Sequence, residues 1–126
     1  MTGRGRARLL GRALWELVRY DALSRCCGFP GVRRRMGAVR KSRGTATVAA
    51  AVDAVACMTS FYWKPPLCLQ RSVVTARLLR AEGFQADVVI GCRARPFYSH
   101  AWVEVDGRVV NDSPAYQTKL QPLDRF

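Results

Sequence analysis

The sequence predicts an α+β domain in which N-terminal helices pack on a small antiparallel sheet. Three observations predict it. Up to residue 83, apolar side chains recur at helical spacing; from residue 84 the spacing shortens to alternation; and Asp106-Gly107 marks a tight hairpin between the last two alternating stretches. A length of 126 residues fits a single folding unit, and 49% hydrophobic against 24% charged residues supplies a core and excludes a disordered chain.

Residues 7–23 (ARLLGRALWELVRYDAL) read as the first helix. Leu9, Leu10, Ala13, Leu14, Leu17 and Val18 lie on its inner face, with Arg8, Arg12, Glu16 and Arg19 largely outside. Amphipathicity alone fits a packing helix or a basic surface helix. Residues 28–44, with four glycines and Pro30, read as a linker or mobile basic segment. A second helix starts at Thr45 or Thr47 and runs to about Phe61, with Val48, Ala49, Val52, Val55, Ala56 and Thr59 inward. Pro65 and Pro66 break it, and a third helix begins at Pro66 or just after, uses Leu67, Val74 and Leu78 as its inner face, and stops at Gly83. FQADVVIG at 84–91, AWVEVD at 101–106 and GRVVND at 107–112 read as strands, and the tail from Ser113, with its two prolines, as irregular chain.

The net charge of +12 is concentrated at the front: residues 1–44 carry twelve Lys/Arg against Glu16 and Asp21, whereas residues 45–126 carry nine against seven acids. Such a field attracts a polyanion or an acidic peptide without choosing between them. The five cysteines are an odd number, no signal peptide precedes them and no stretch is long enough to span a membrane, so reduced thiols and a cytoplasmic location are expected. Cys68, Cys92 and His100 lack the spacing of a metal-ligand pair, and neither a serine-hydrolase elbow nor a phosphate loop is present, so no metal or cofactor is expected.

Cysteine-based acyl chemistry needs an available thiolate, an imidazole in reach and a third group that fixes the imidazole's tautomer. Cys68 falls in the first turn of the third helix, where free amides and the helix dipole favour a thiolate. His100, the only histidine, opens a strand, and Asp112 closes the partner strand. A two-residue loop at Asp106-Gly107 sets Asp112 opposite Ala101, so bringing His100 to Asp112 requires a longer loop or a bulge. The same residues also fit plainer roles: Cys68 as core packing, His100 as a structural ring, Asp112 as a turn cap.

The stretch LCLQRSVVTARLLRAEGFQADVVIGCRARPFYSHAWVEVDGRVVND, residues 67–112, closely resembles the C-terminal transglutaminase-like, papain-like domain of the B2 leader peptidases of lasso-peptide biosynthesis. The C-L-x-R-S opening, L-L-R-x-x-G, V-I-G, H-A-W-V-E and N-D occur in order, and the helical front third resembles the N-terminal half of stand-alone members. The resemblance implies Cys68 as nucleophile, His100 as general base and acid, and Asp112 as the residue that orients His100. It implies a basic, partner-docking region at 1–44 and a transglutaminase-like cysteine protease core at 45–126. It further implies removal of the leader from a lasso-peptide precursor, with a separate leader-recognition B1 protein and a lasso macrocyclase as partners. Cys92 departs from the usual apolar residue of the family, and the oxyanion donor stays open among Gln70, Tyr62 and the Cys68 backbone amide.

Other readings keep the same residues in view. Acyl transfer to an amine, or glutamine deamidation, uses the same triad with a different acceptor. A nonenzymatic basic module draws on the charged front third, but residues 84–112 lack the basic and aromatic interleaving of nucleic-acid-binding strands, and no nucleic-acid partner is expected.

Overall fold

At the centre lies one helix, α3 (Cys68–Ala81), buried along most of its length from Gln70 to Ala81. The computed structural model describes residues 3–36, 39, 46–63 and 67–126. Around α3 stand α1 (Gly3–Met36), α2 (Val48–Phe61) and an antiparallel sheet of β1 (Ala86–Ala94), β2 (Phe97–Val105), β3 (Arg108–Val109) and β4 (Gln121–Arg125), in the order β3-β2-β1-β4; a short helix, α4 (Ala115–Lys119), precedes β4. Helices therefore form one layer and the sheet the other, as the change of period predicts.

The ends of α2 and α3 follow local chemistry. Thr47 caps α2, its Oγ1 accepting from Ala50 N at 3.1 Å. Gly83, at φ 96°, closes α3, and Phe84 N donates to Leu79 O at 3.0 Å in the manner of a Schellman stop. The sequence assigned this role to Gly83; Pro66, its proposed helix start, lies outside the described residues, and the helix begins at Cys68.

The inner faces of the helices are rotated from the expected ones. On α1 the buried residues are Leu9, Ala13, Glu16, Leu17 and Tyr20, while Leu14 and Val18 are exposed. On α2 they are Ala51, Ala54 and Val55. On α3 Leu67 is exposed, and Val74 and Leu78 are buried as expected. The displaced acid explains the rotation of α1: Arg77 of α3 is buried, and its Nε meets Glu16 Oε2 at 2.6 Å, so Glu16 must point inward.

The segment expected as a linker from Gly28 is helical as far as Met36. Gly28 adopts φ 64° and kinks α1, Pro30 sits in the first turn after the kink, and Val32 is fully buried. The arginines are not all free either: Arg33 pairs with Asp124 at 3.1 Å and lies over the Phe126 ring. Residues 37–38 and 40–44 of that segment lie outside the described residues. No helix among the described residues is long and apolar enough to cross a membrane.

The sheet has two unlike faces. Val88, Val103 and Val105 pack against the helices, whereas Val89 and Trp102 face away from them and pack with Leu120, Val109 and Tyr116. The tail is thus not irregular: α4 and β4 cover this second face and edge. Pro122 is compatible with β4 because an edge strand can do without one donor.

Gly91 lies where the second face is most crowded. A Cβ there would come within 2.5 Å of Trp102 Cη2 and 2.9 Å of Leu120 Cβ. Gly91→Ala is expected to destabilise the protein by about 1–3 kcal/mol, read as a lower urea midpoint at unchanged slope.

The buried edge of this face also predicts a pH response. Glu104 Oε2 accepts from Trp102 Nε1 at 2.8 Å, and Oε1 accepts from Arg125 Nη1 at 3.0 Å. Burial alone would raise the Glu104 carboxyl, but hydrogen bonds from Trp102, Gln117 and Arg125 outweigh it and hold the carboxyl below its ordinary value. A depressed carboxylate contributes stability that is complete above its unfolded pKa of about 4.3 and is lost as pH falls through the folded value. Arg125→Gln should therefore cost stability at pH 7 and make the loss below about pH 4.3 shallower, as read by urea midpoints across pH.

Candidate active site

Cys68 is the first residue of α3 and is half-buried. Its N-cap, Leu67, makes no side-chain cap hydrogen bond, so no N-cap side chain occupies the amides of the first turn. The rest of that turn is fixed from below. Gln70 is buried and its Nε2 donates to Leu17 O at 3.1 Å. Tyr62 donates its hydroxyl to Asp21 Oδ2, and burial followed by that hydrogen bond raises the phenol above its ordinary value. Both side chains considered as oxyanion donors are thus engaged with α1, and they lock the approach to Cys68 onto that helix.

His100 and Asp112 are brought together: Nε2 lies 2.6 Å from Asp112 Oδ2. The imidazole is 11% exposed and the carboxylate 21%, so the bond is sheltered. With Nε2 turned to the carboxylate, the lone pair of the neutral ring lies at Nδ1, which has no hydrogen-bond partner among the described residues.

The route to this pair corrects the sequence expectation. The hairpin is the simplest one: Val105 pairs with Arg108, Glu104 with Val109, and Asp106 and Gly107 turn at φ 53° and 78°. The irregularity comes later. Val110 N still donates to Val103 O at 3.0 Å, but Val103 N donates to the Asn111 side chain, Oδ1 at 2.8 Å, instead of a strand carbonyl. The chain leaves the ladder at this point, and the next residue, Asp112, reaches His100. Asn111 Nδ2 also donates to Ser72 Oγ at 3.4 Å. Asn111 was quoted in the sequence only as part of a motif, and its place before Asp112 at a strand end was the available signal.

The departing chain also ties Asp112 to the start of α3. Arg71 Nη2 stands 3.9 Å from Asp112 Oδ2. Arg71 and Ser72 are three and four residues beyond Cys68, on the helix face that carries it. Cys68 itself makes no hydrogen bond to His100 among the described residues. Tyr116 stacks on His100 with ring centroids 4.1 Å apart. The Tyr116 phenol is raised, first by its interaction with Tyr98. Cys92 pairs with Ser99, so strand alternation turns it to the opposite face from His100.

Cys68 opens α3, and His100 on β2 holds Asp112; a thiol, an imidazole and a carboxylate are the groups that thiol acyl chemistry uses, and His100 lies on the sheet face of Trp102. Residues 10–125 match the transglutaminase-like superfamily, and the chain belongs to it. The chain is also 49% identical over 56 residues to the microcin J25-processing protein McjB of Escherichia coli; the aligned stretch is 44% of this chain and 27% of that protein. No solved structure matches the chain.

Proposed function

We propose that the protein is a cysteine peptidase that removes the leader from a lasso-peptide precursor, acting through Cys68, His100 and Asp112. The observation that carries this reading is the 2.6 Å His100–Asp112 bond, held beside the first turn of the helix that begins at Cys68. The motif resemblance over residues 67–112 and the similarity to a protein named for processing microcin J25 support the substrate class. The Cys68 thiolate attacks the carbonyl of the last leader residue, and the Cys68 backbone amide is the candidate donor to the resulting oxyanion. The C–N bond breaks as imidazolium at His100 gives its proton to the leaving amine. Water, losing a proton to His100, then attacks the thioester and releases the leader as its carboxylate. Asp112 holds His100 in the tautomer that presents Nδ1 to the thiol.

The partners proposed are a separate leader-recognition B1 protein, which presents the precursor, and a lasso macrocyclase, which takes the freed core amine; the reaction belongs to the cytoplasm. The exposed Leu14, Trp15 and Val18 on α1, with Arg34 and Arg35 near its end, form the proposed docking region at 1–44 for the B1 protein and an acidic leader. Arg33 is excluded from that surface because it is held by Asp124.

The test is mass spectrometry of the precursor encoded beside this protein, incubated with it in the presence and absence of the leader-binding partner. Cleavage at one junction, with products together heavier than the substrate by one water, is expected. Conversion of an amine or a glutamine without chain cleavage would establish acyl transfer or deamidation instead. A folded protein that leaves the precursor intact with the partner present would overturn the reading.

A further inference from the structure

One surface hollow, of about 460 Å³, lies at the far end of the sheet beside Asp106 and Gly107. A smaller one adjoins His100. It has a volume of about 220 Å³ and is lined by Arg93, Tyr98, Tyr116, Lys119 and Leu120. At about 30 Å³ per water, this is room for roughly seven waters, the scale of one side chain and its solvation rather than of a long peptide.

Its position relative to His100 is fixed by the sheet. Arg93 pairs with Tyr98 and Gly91 with His100, so Tyr98 stands two residues outward from His100 on the same face of β2. Tyr116, whose ring lies on His100, forms the shared wall. An extended peptide advances about 3.4 Å per residue, as β2 does, so the hollow is within reach of the first three residues of a chain whose reacting nitrogen sits at His100.

Its chemistry is that of a carboxylate site. Arg93 and Lys119 make no ion pair among the described residues; the Arg93 guanidinium lies 5.6 Å from the Tyr98 ring centroid. Tyr98 and Tyr116 stand together in the lining, and Tyr98 raises the Tyr116 phenol, which keeps its proton at neutral pH. The cations and phenols can surround a carboxylate with charge-assisted donors, while the rings and Leu120 accept its methylene carbons.

We propose that this hollow is a specificity subsite for an Asp or Glu side chain located within the first three residues after the scissile bond. It rests on the peptidase reading, because the proton donor to the leaving amine is His100, and the chain carried by that amine must emerge beside it. The charge on the subsite selects among substrates; it takes no part in bond cleavage.

The experiment uses the full-length protein with its leader-binding partner and precursor peptides that carry Asp or Asn at each of those three positions in turn. One position is expected to favour Asp by roughly ten- to a hundredfold in kcat/KM. Arg93→Gln combined with Lys119→Gln should bring that ratio towards one, with circular dichroism confirming that the variant is folded. Titration of the released core-side peptides, Asp against Asn, into Cys68→Ala separates the two claims. Preferred binding of the Asp peptide without any cleavage by the wild type would retain the subsite and overturn the peptidase. Cleavage with equal rates for Asp and Asn at all three positions would overturn the subsite and leave the peptidase standing. A double variant that is folded and keeps the full Asp preference would also overturn it.

Discussion

His100→Ala is expected to lower precursor cleavage by roughly ten-thousandfold, because one ring acts as base for Cys68 and acid for the leaving amine. The two Asp112 variants should then separate orientation from charge. Asp112→Asn keeps an oxygen that can accept from His100 Nε2–H, where Asp112 Oδ2 lies 2.6 Å away. It should retain more activity than Asp112→Ala, which leaves the ring free to turn. Thermal melts must accompany these rates, since the ring also packs on Tyr116. Equal activity of His100→Ala and the wild type would remove the basis of the mechanism.

The largest effect on stability is expected at the Glu16–Arg77 pair. Both side chains are at most 5% exposed and meet at 2.6 Å. Glu16→Ala leaves the Arg77 guanidinium without its buried carboxylate and should cost about 3–5 kcal/mol. Against a total stability of about 5–15 kcal/mol this is a large fraction, so the variant should unfold at markedly lower urea concentration. Joint replacement, Glu16→Leu with Arg77→Met, should recover much of the loss, because it removes both desolvated charges. A single-variant cost below about 1 kcal/mol would show that the pair is solvated in practice.

That pair also shows where sequence reading stops. Period and turn residues made the order of elements legible: Gly83 ends α3, Asp106-Gly107 turns the hairpin, and the shift to alternation marks the sheet. Cys68, His100 and Asp112 were legible as candidates because the sequence set each at an expected element end; Cys68 does open α3, but His100 lies inside β2 and Asp112 beyond the end of β3. Glu16 was read as outward because a charged residue is ordinarily solvated; its partner is 61 residues away, and only the tertiary packing reveals it. The helix after Gly28 was hidden by the glycine and proline that start it afresh, and β4 by Pro122, which an edge position tolerates. The hairpin argument failed differently. It extended the strand register past Val110, whereas the Asn111 side chain replaces the ladder there and frees Asp112 to reach His100.

The most direct test of the central claim compares Cys68→Ala and Cys92→Ala with the wild type on the precursor, with the leader-binding partner present and products read by mass spectrometry. The account predicts that Cys68→Ala remains folded and gives no cleavage, while Cys92→Ala, on the sheet face opposite His100, cleaves at the same junction as the wild type. Cleavage that survives in Cys68→Ala would contradict it.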